Sequence, residues 1–157
     1  MYFGNLLEDL VAKEFEKRSG KKVRRKNQML QHDTHDFMMA NIDREIVGEK
    51  ALLECKTTSA YNAKEWENDE VPAAYLIQIN HYLAVTGYQK AYIACLIGGN
   101  TFVWKEIERD EELIFLIIEL ERKFWDYHVK GKFTDGVPQP PALDGSSAAE
   151  KYIKERF

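Results

Sequence analysis

Phe37-Met38-Met39-Ala40-Asn41-Ile42-Asp43, followed after a short charged turn by Ala51-Leu52-Leu53-Glu54-Cys55-Lys56-Thr57, is the stretch that decides the fold. The first apolar run ends on Asp43 and the second leads into Glu54, with Gly48 and the charged Glu49-Lys50 as a turn between them, so the two segments read as a hairpin. Alternate side chains of a strand share a face, which sends Glu54 and Lys56 one way and Cys55 into the fold. Two carboxylates and an amine thus lie on adjacent strands. Carboxylates gathered in one place repel each other and rise in pKa, unless a divalent cation or the lysine sits between them. Hard oxygen donors of this kind suit Mg²⁺ or Mn²⁺.

Upstream, Leu6, Leu7, Leu10, Val11 and Phe15 recur at helical spacing and Gly20 follows, which predicts an amphipathic helix over residues 4–19 with a glycine cap. Val23 to Leu30 reads as a first strand, 31–36 as a polar turn, and 37–47 and 50–57 as the next two strands. Downstream come a loop with a short helix around Ala63 to Trp66, then a helix with Pro72 in its first turn that runs to Val85 and ends at Gly87. Ala91 to Ile97 and Thr101 to Ile107 are two further strands joined by Gly98-Gly99-Asn100. Asp110 caps a long helix carrying Leu113, Leu116, Ile117, Leu120, Phe124 and Tyr127. Beyond Gly136 a Pro-rich stretch is extended, and Ser147 with Glu150 forms a capping box for a last short helix. Helices interleaved with strands predict an α/β sheet with helices packed on it.

The bulk properties fit one domain: 157 residues with 45% apolar content can bury a core. No apolar run is long enough to span a bilayer and no basic-then-apolar leader opens the chain, so a cytoplasmic protein is expected. Cys55 and Cys95 both lie in apolar runs and read as two buried thiols. The net charge of −4 argues against a polyanionic partner until its distribution is considered. Lys21, Lys22, Arg24, Arg25 and Lys26 crowd one segment. That run is either a strand edge guarded by charge or a phosphate-contacting rim.

A metal-dependent cut of a phosphodiester needs cations to neutralise the phosphate and a group that orients or deprotonates water. Asp43 can bridge two cations, Glu54 can hold one of them with the backbone carbonyl of Cys55, and Lys56, its pKa depressed beside those ions, can act on the water. Glu8 sits at the edge of the apolar face of the first helix, where a carboxylate can reach inward or face solvent. Gln78 and Tyr82 are four apart on the helix after Pro72 and share a face with Tyr75 and Ile79, either as partners of the site or as ordinary polar residues at the edge of a core.

Gly4-x3-Glu8, Asp43, Glu54-x-Lys56 and Gln78-x3-Tyr82 resemble the catalytic pattern of PD-(D/E)XK nucleases, and specifically the YqaJ-like viral recombinases related to the lambda-type alkaline exonuclease. Phe37 to Asp43, Leu53 to Thr57, Val71-Pro72-x2-Tyr75 and Gln78-x2-His81-Tyr82-Leu83-Ala84-Val85-Thr86-Gly87 extend the resemblance over nearly the whole chain, with Ile42 where the motif's name has proline. The resemblance implies a restriction-endonuclease-like core over 1–135, a central mixed five-stranded sheet flanked by helices, with a Pro-rich linker and short helix over 136–157. It implies Asp43, Glu54 and the Cys55 carbonyl as metal ligands for Mg²⁺ (Mn²⁺ as substitute), two ions in all. Lys56 would assist the nucleophilic water, Glu8 would support the metal directly or through water, and Gln78 and Tyr82 would be auxiliary catalytic residues. The implied reaction is hydrolysis of double-stranded DNA from an end, giving 5′-phosphate products and single strands for a phage annealing protein. A ring-shaped homo-oligomer, such as a trimer, would encircle the DNA in the cytoplasm of a bacterial host. Lys22, Arg24, Arg25, Lys26 and Lys64 are the expected DNA contacts. The chain starts close to its first helix and reads as a fragment or minimal core.

Other features carry less. His32-Asp33-x-His35-Asp36 is either a zinc half-site without a matching pair or a polar loop near the site. His81 either contacts DNA or packs. Tyr61, Lys64 and Trp66 form either a base-stacking loop or a hydrophobic anchor. Two cysteines exclude a four-cysteine iron–sulfur cluster, and Gly98-Gly99 opens no helix and so is no phosphate loop. A structure- or site-specific endonuclease and a non-catalytic DNA-binding or assembly module on the same fold remain the alternatives.

Overall fold

The computed structural model describes residues 2–26 and 28–141. Helix α1 (Tyr2–Ser19) stops where Gly20, at φ +72°, donates its N–H back to the Glu16 carbonyl at 3.0 Å. Strand β1 (Val23–Arg25) follows, then a ribbon of two short strands, β2 (Leu30–Gln31) and β3 (Met39–Ala40). Strands β4 (Arg44–Ile46) and β5 (Ala51–Thr58) come next. A 3₁₀ turn over Ala60–Trp66 leads to α2 (Ala73–Thr86), β6 (Lys90–Ile97), β7 (Thr101–Glu108) and α3 (Glu111–Phe124). The five-stranded sheet has the order β1-β4-β5-β6-β7, and the ribbon β2-β3 stands apart from it.

The chain forms two compact units, residues 1–118 and 119–157. In the first, β5 and β6 pair in parallel with Glu54 opposite Ile93, so the chain must cross over between them, and α2 is that crossover. The other sheet pairings are antiparallel. One face of the sheet packs Ala51, Leu53, Tyr92 and Ala94 against Val11, Ala12 and Phe15 of α1. The opposite face packs Leu52, Ala91, Ile93 and Cys95 against Ile79 and Leu83 of α2 and Ile114 and Ile117 of α3. Buried on both faces, β5 and β6 need the near-continuous apolar runs that the sequence supplies. In the second unit the helix passes into a π turn, Trp125–Val129, and His128 Nδ1 donates to the Gln139 carbonyl at 2.6 Å.

Several expected boundaries move. The strand expected over 23–30 is only three residues long, because its partner β4 pairs only Arg44 to Ile46; Leu30–Gln31 pairs instead with Met39–Ala40. The strand expected over 37–47 is broken at Asn41–Asp43, where the chain leaves the ribbon and enters the sheet. Pro72 precedes the helix instead of lying within its first turn: its carbonyl accepts the N–H of Tyr75 at 2.9 Å and of Leu76 at 3.2 Å. The Asp110 cap forms as expected, its carboxylate accepting the Leu113 N–H at 3.0 Å. Asn80, 2% exposed, braces that cap by accepting the Asp110 N–H at 2.9 Å. The helix expected at Ser147 to Glu150 lies outside the described residues. No described helix is long and apolar enough to cross a membrane.

Candidate active site

The site arises where β5 outruns β4. The β4–β5 pairing begins at Arg44 opposite Leu53, so from Glu54 onward that edge of β5 has lost its neighbour while its other edge stays paired to β6. Asp43, one residue before β4, fills the gap: its Oδ2 accepts the Cys55 N–H at 2.9 Å. A strand residue turns its N–H and C=O to the same edge, so the Cys55 carbonyl faces the same side as Asp43. The Cys55 side chain packs with the cluster under α1, as the alternation predicts.

Glu54 and Lys56 share the other face. Lys56 Nζ donates to Glu54 Oε1 at 2.6 Å and to Gln78 Oε1 at 2.9 Å, and it lies 4.8 Å from the centre of the Tyr75 ring. Gln78 uses its other end too, donating from Nε2 to the Tyr82 hydroxyl at 2.8 Å. Two turns of α2 therefore present an acceptor and a ring face to one ammonium, with a phenol holding the acceptor from behind. Trp66, 4% exposed, packs against Tyr75 at 5.8 Å between ring centres, which makes it an anchor, whereas Tyr61 is 94% exposed.

Burial, and then the charge of Asp43, pushes the Glu54 carboxyl up to about 7 despite the pull of Lys56. Burial draws the Lys56 ammonium down, but the charge and hydrogen bond of Glu54 outweigh it and hold the group above its ordinary value. The depressed Lys56 expected from the sequence presupposed cations beside it; the carboxylates alone act in the opposite sense. Burial also raises the Tyr82 phenol.

Glu54 is 3% exposed, and its second oxygen, Oε2, is buried without a hydrogen-bond partner. An unsatisfied carboxylate oxygen is costly in a fold, and it is what a cation ligand looks like in the absence of its ion. Hard oxygens from Glu54, Asp43 and the Cys55 carbonyl fit Mg²⁺, which takes one or two carboxylates and keeps several waters. Among the described residues no three His, Cys, Asp or Glu side chains gather around one point, so backbone and water must complete such a site.

Glu8 approaches from α1 but is held in an ion pair: Arg44 Nη1 lies 2.7 Å from Glu8 Oε1, and Arg44 Nη2 lies 2.5 Å from Asp9 Oδ1. The same Nη1 donates to the Asp43 carbonyl at 2.9 Å. Arg44 escaped the sequence reading. Its signal was alternation with Ile46 in a buried strand, which places an arginine on an inward face where it needs partners.

The basic run is largely paired with the chain's own acids. Arg24 and Lys26 meet the buried Glu45 at 2.9 and 3.3 Å, Arg25 meets Asp9 at 2.5 Å, and Lys21 meets Glu49 at 2.5 Å. Glu45 also accepts a short hydrogen bond from Tyr88, whose phenol burial and that carboxylate push up to about 12. Lys22 and Lys64 are exposed. Among the histidines, His32 Nδ1 accepts the N–H groups of Thr34 and His35 at 3.1 and 3.2 Å, closing a turn in which the two rings lie 4.7 Å apart. His81 donates from Nε2 to the Met39 carbonyl at 2.9 Å, tying the ribbon to α2.

Known proteins resemble this chain in sequence and in fold. The sequence model of the YqaJ-like viral recombinase domain matches residues 1–89. The uncharacterized protein YqaJ of Bacillus subtilis (strain 168) is 63% identical over 158 residues, a match that covers 99% of this chain and 48% of that protein. The chain thus spans about half the length of this curated relative. An alkaline exonuclease, LHK-Exo, from Laribacter hongkongensis superposes with a TM-score of 0.68 at 17% identity, covering 97% of this chain and 71% of that one. A phage related exonuclease from Haemophilus somnus 129PT superposes with a TM-score of 0.60 at 18% identity, covering 78% and 69%. At such identities these likenesses establish the fold, a PD-(D/E)XK-type core with a mixed five-stranded sheet and flanking helices.

Proposed function

The chain belongs to the YqaJ-like viral recombinase family, and on that premise we propose that it is a metal-dependent deoxyribonuclease that hydrolyses double-stranded DNA from its ends. The observation that carries this reading is the Glu54 carboxylate, buried with one oxygen unpartnered, two residues from an ammonium fixed in three directions. A purely structural ion pair has no use for a buried oxygen without a hydrogen-bond partner. A ligand for a cation does.

Mg²⁺, when bound, would neutralise the scissile phosphate and the charge growing on the leaving oxygen. Asp43 and Glu54 would hold it with the Cys55 carbonyl, and Mn²⁺ would substitute. The chain's own residues do the positioning. Glu54 and Gln78 each accept one Lys56 N–H and the Tyr75 ring flanks the ammonium, so a further N–H can orient the attacking water or a phosphate oxygen. Gln78 is itself held by Tyr82, which fixes the amide that fixes the lysine. The products would carry 5′-phosphates.

Lys22, Lys64 and the Arg24 head group, 67% exposed although paired, would meet DNA phosphates. Arg25 and Lys26 would contribute through the same rim while bridging to Asp9 and Glu45. Supply of single strands to an annealing protein, assembly as a ring-shaped homo-oligomer and action in the cytoplasm of a bacterial host belong to the same proposal. The test is degradation of end-labelled linear duplex against covalently closed circles, with Mg²⁺ or with chelator. Loss of the linear species alone, only with Mg²⁺, is the expected result. Cutting of both species would make the chain an endonuclease, and cutting of neither would leave a binding module.

A further inference from the structure

We propose that Arg44 is a resident cation of this centre, committing Glu8 and restricting the chain to one divalent ion. The inference rests on the nuclease reading above and concerns how its metal centre is built. The Arg44 side chain is 5% exposed and spends its two terminal nitrogens on three acceptors: Glu8 Oε1 at 2.7 Å, the Asp43 carbonyl at 2.9 Å and Asp9 Oδ1 at 2.5 Å. A guanidinium cannot shed its proton, so releasing Glu8 to a second ion would leave this buried charge with Asp9, itself about half exposed, as its one carboxylate partner. Glu8 stays with the arginine.

The remaining donors suffice for one ion. Asp43 Oδ2 accepts the Cys55 N–H and Glu54 Oε1 accepts from Lys56, so each carboxylate keeps its other oxygen for a cation, with the Cys55 carbonyl on the Asp43 side of the strand. Two-ion sites hold their cations about 3.5–4 Å apart and need a donor set for each. Among the described residues no third carboxylate, thiol or imidazole converges on these two.

Charge counting agrees. Glu8, Asp9, Asp43 and Glu54 face Arg25, Arg44 and Lys56, which leaves one net negative charge when all are ionised. One divalent cation turns that into one positive charge, matched to an incoming phosphodiester. A second would concentrate three positive charges on the free protein before any DNA arrived.

The test counts ions without relying on activity. Mn²⁺ is titrated into the purified chain, with free Mn²⁺ followed by electron paramagnetic resonance and heats by calorimetry. The expected result is one bound Mn²⁺ per chain with no exchange-coupled pair, and Arg44→Gln, by freeing Glu8, should acquire a second. Glu8→Gln should leave the affinity for the first ion unchanged. A loss of about tenfold or more, the scale on which direct supporters of a metal are felt, would overturn the proposal. Glu8→Gln decides the matter if Arg44→Gln does not fold. Two ions in the wild-type chain would refute the single-ion centre and leave the nuclease reading standing, whereas no bound Mn²⁺, or binding unaltered by Asp43→Asn, would remove both.

Discussion

Glu54→Gln should stabilise the metal-free protein at neutral and alkaline pH and abolish the stabilisation that Mg²⁺ confers. The folded chain holds this carboxyl at about 7 against an ordinary value of 4.5, first through burial and then through Asp43. Below 4.5 the group is protonated whether the chain is folded or not and adds no pH dependence. Between 4.5 and about 7 the unfolded chain ionises first, so stability falls as pH rises, and above about 7 the whole penalty is present. Converted at 1.36 kcal/mol per pH unit, the interval from 4.5 to about 7 costs about 3 kcal/mol. Lys56 stays protonated across this window and adds no slope of its own. The assay is urea unfolding in chelator from pH 4.5 to 8.5, on wild type and Glu54→Gln together, so that the other carboxylates cancel in the difference. The two should be alike near pH 4.5 and separate by about 3 kcal/mol in favour of the variant by pH 8. Mg²⁺ at 100 times its Kd should then return about 2.7 kcal/mol to wild type and much less to the variant. Parallel stability curves, or wild type gaining on the variant as pH rises, would refute the account of Glu54 as a buried carboxylate kept for a cation.

Lys56→Ala should lower the cleavage rate by about 10²- to 10⁴-fold while leaving Mg²⁺ affinity largely intact, since the lysine acts on water and phosphate; single-turnover kinetics beside calorimetry separate the two. Tyr75→Leu should lower kcat with little change in KM, and Tyr75→Phe should restore it, because the ring face beside the ammonium needs no hydroxyl; equal losses in both variants would show that the phenol matters. Arg24→Gln with Lys26→Gln should weaken DNA binding uniformly across sequences and reduce the slope of log K against log salt by about 0.9 for each phosphate that is no longer neutralised. An unchanged slope would return these residues to guarding the β1 edge and pairing with Glu45. Asp110→Ala should cost about 1 kcal/mol in chemical unfolding by removing the cap of α3.

How much of this was legible in the sequence follows the range of each interaction. β6, β7 and their Gly98-Gly99-Asn100 turn could be read because alternation and turn chemistry are local. The facing of Glu54 and Lys56 could be read because they lie two positions apart on one strand. The ends of β1 and the break before Asp43 could not, because a strand ends where its neighbour ends, and the neighbour lies some twenty residues away. The basic run looked available to DNA because its partners Asp9, Glu45 and Glu49 are invisible at that range.

Arg44 marks the boundary most clearly. Its place beside Asp43 is plain in the sequence, but its role depends on which face of β4 it takes and on which turn of α1 crosses that face. Those facts put Glu8 and Asp9 within 2.7 Å of its guanidinium and convert a carboxylate that looked like a metal donor into the partner of a buried cation. The motif names the acids that can bind an ion. Which of them remain free to do so is decided by the cations the fold has already brought to them.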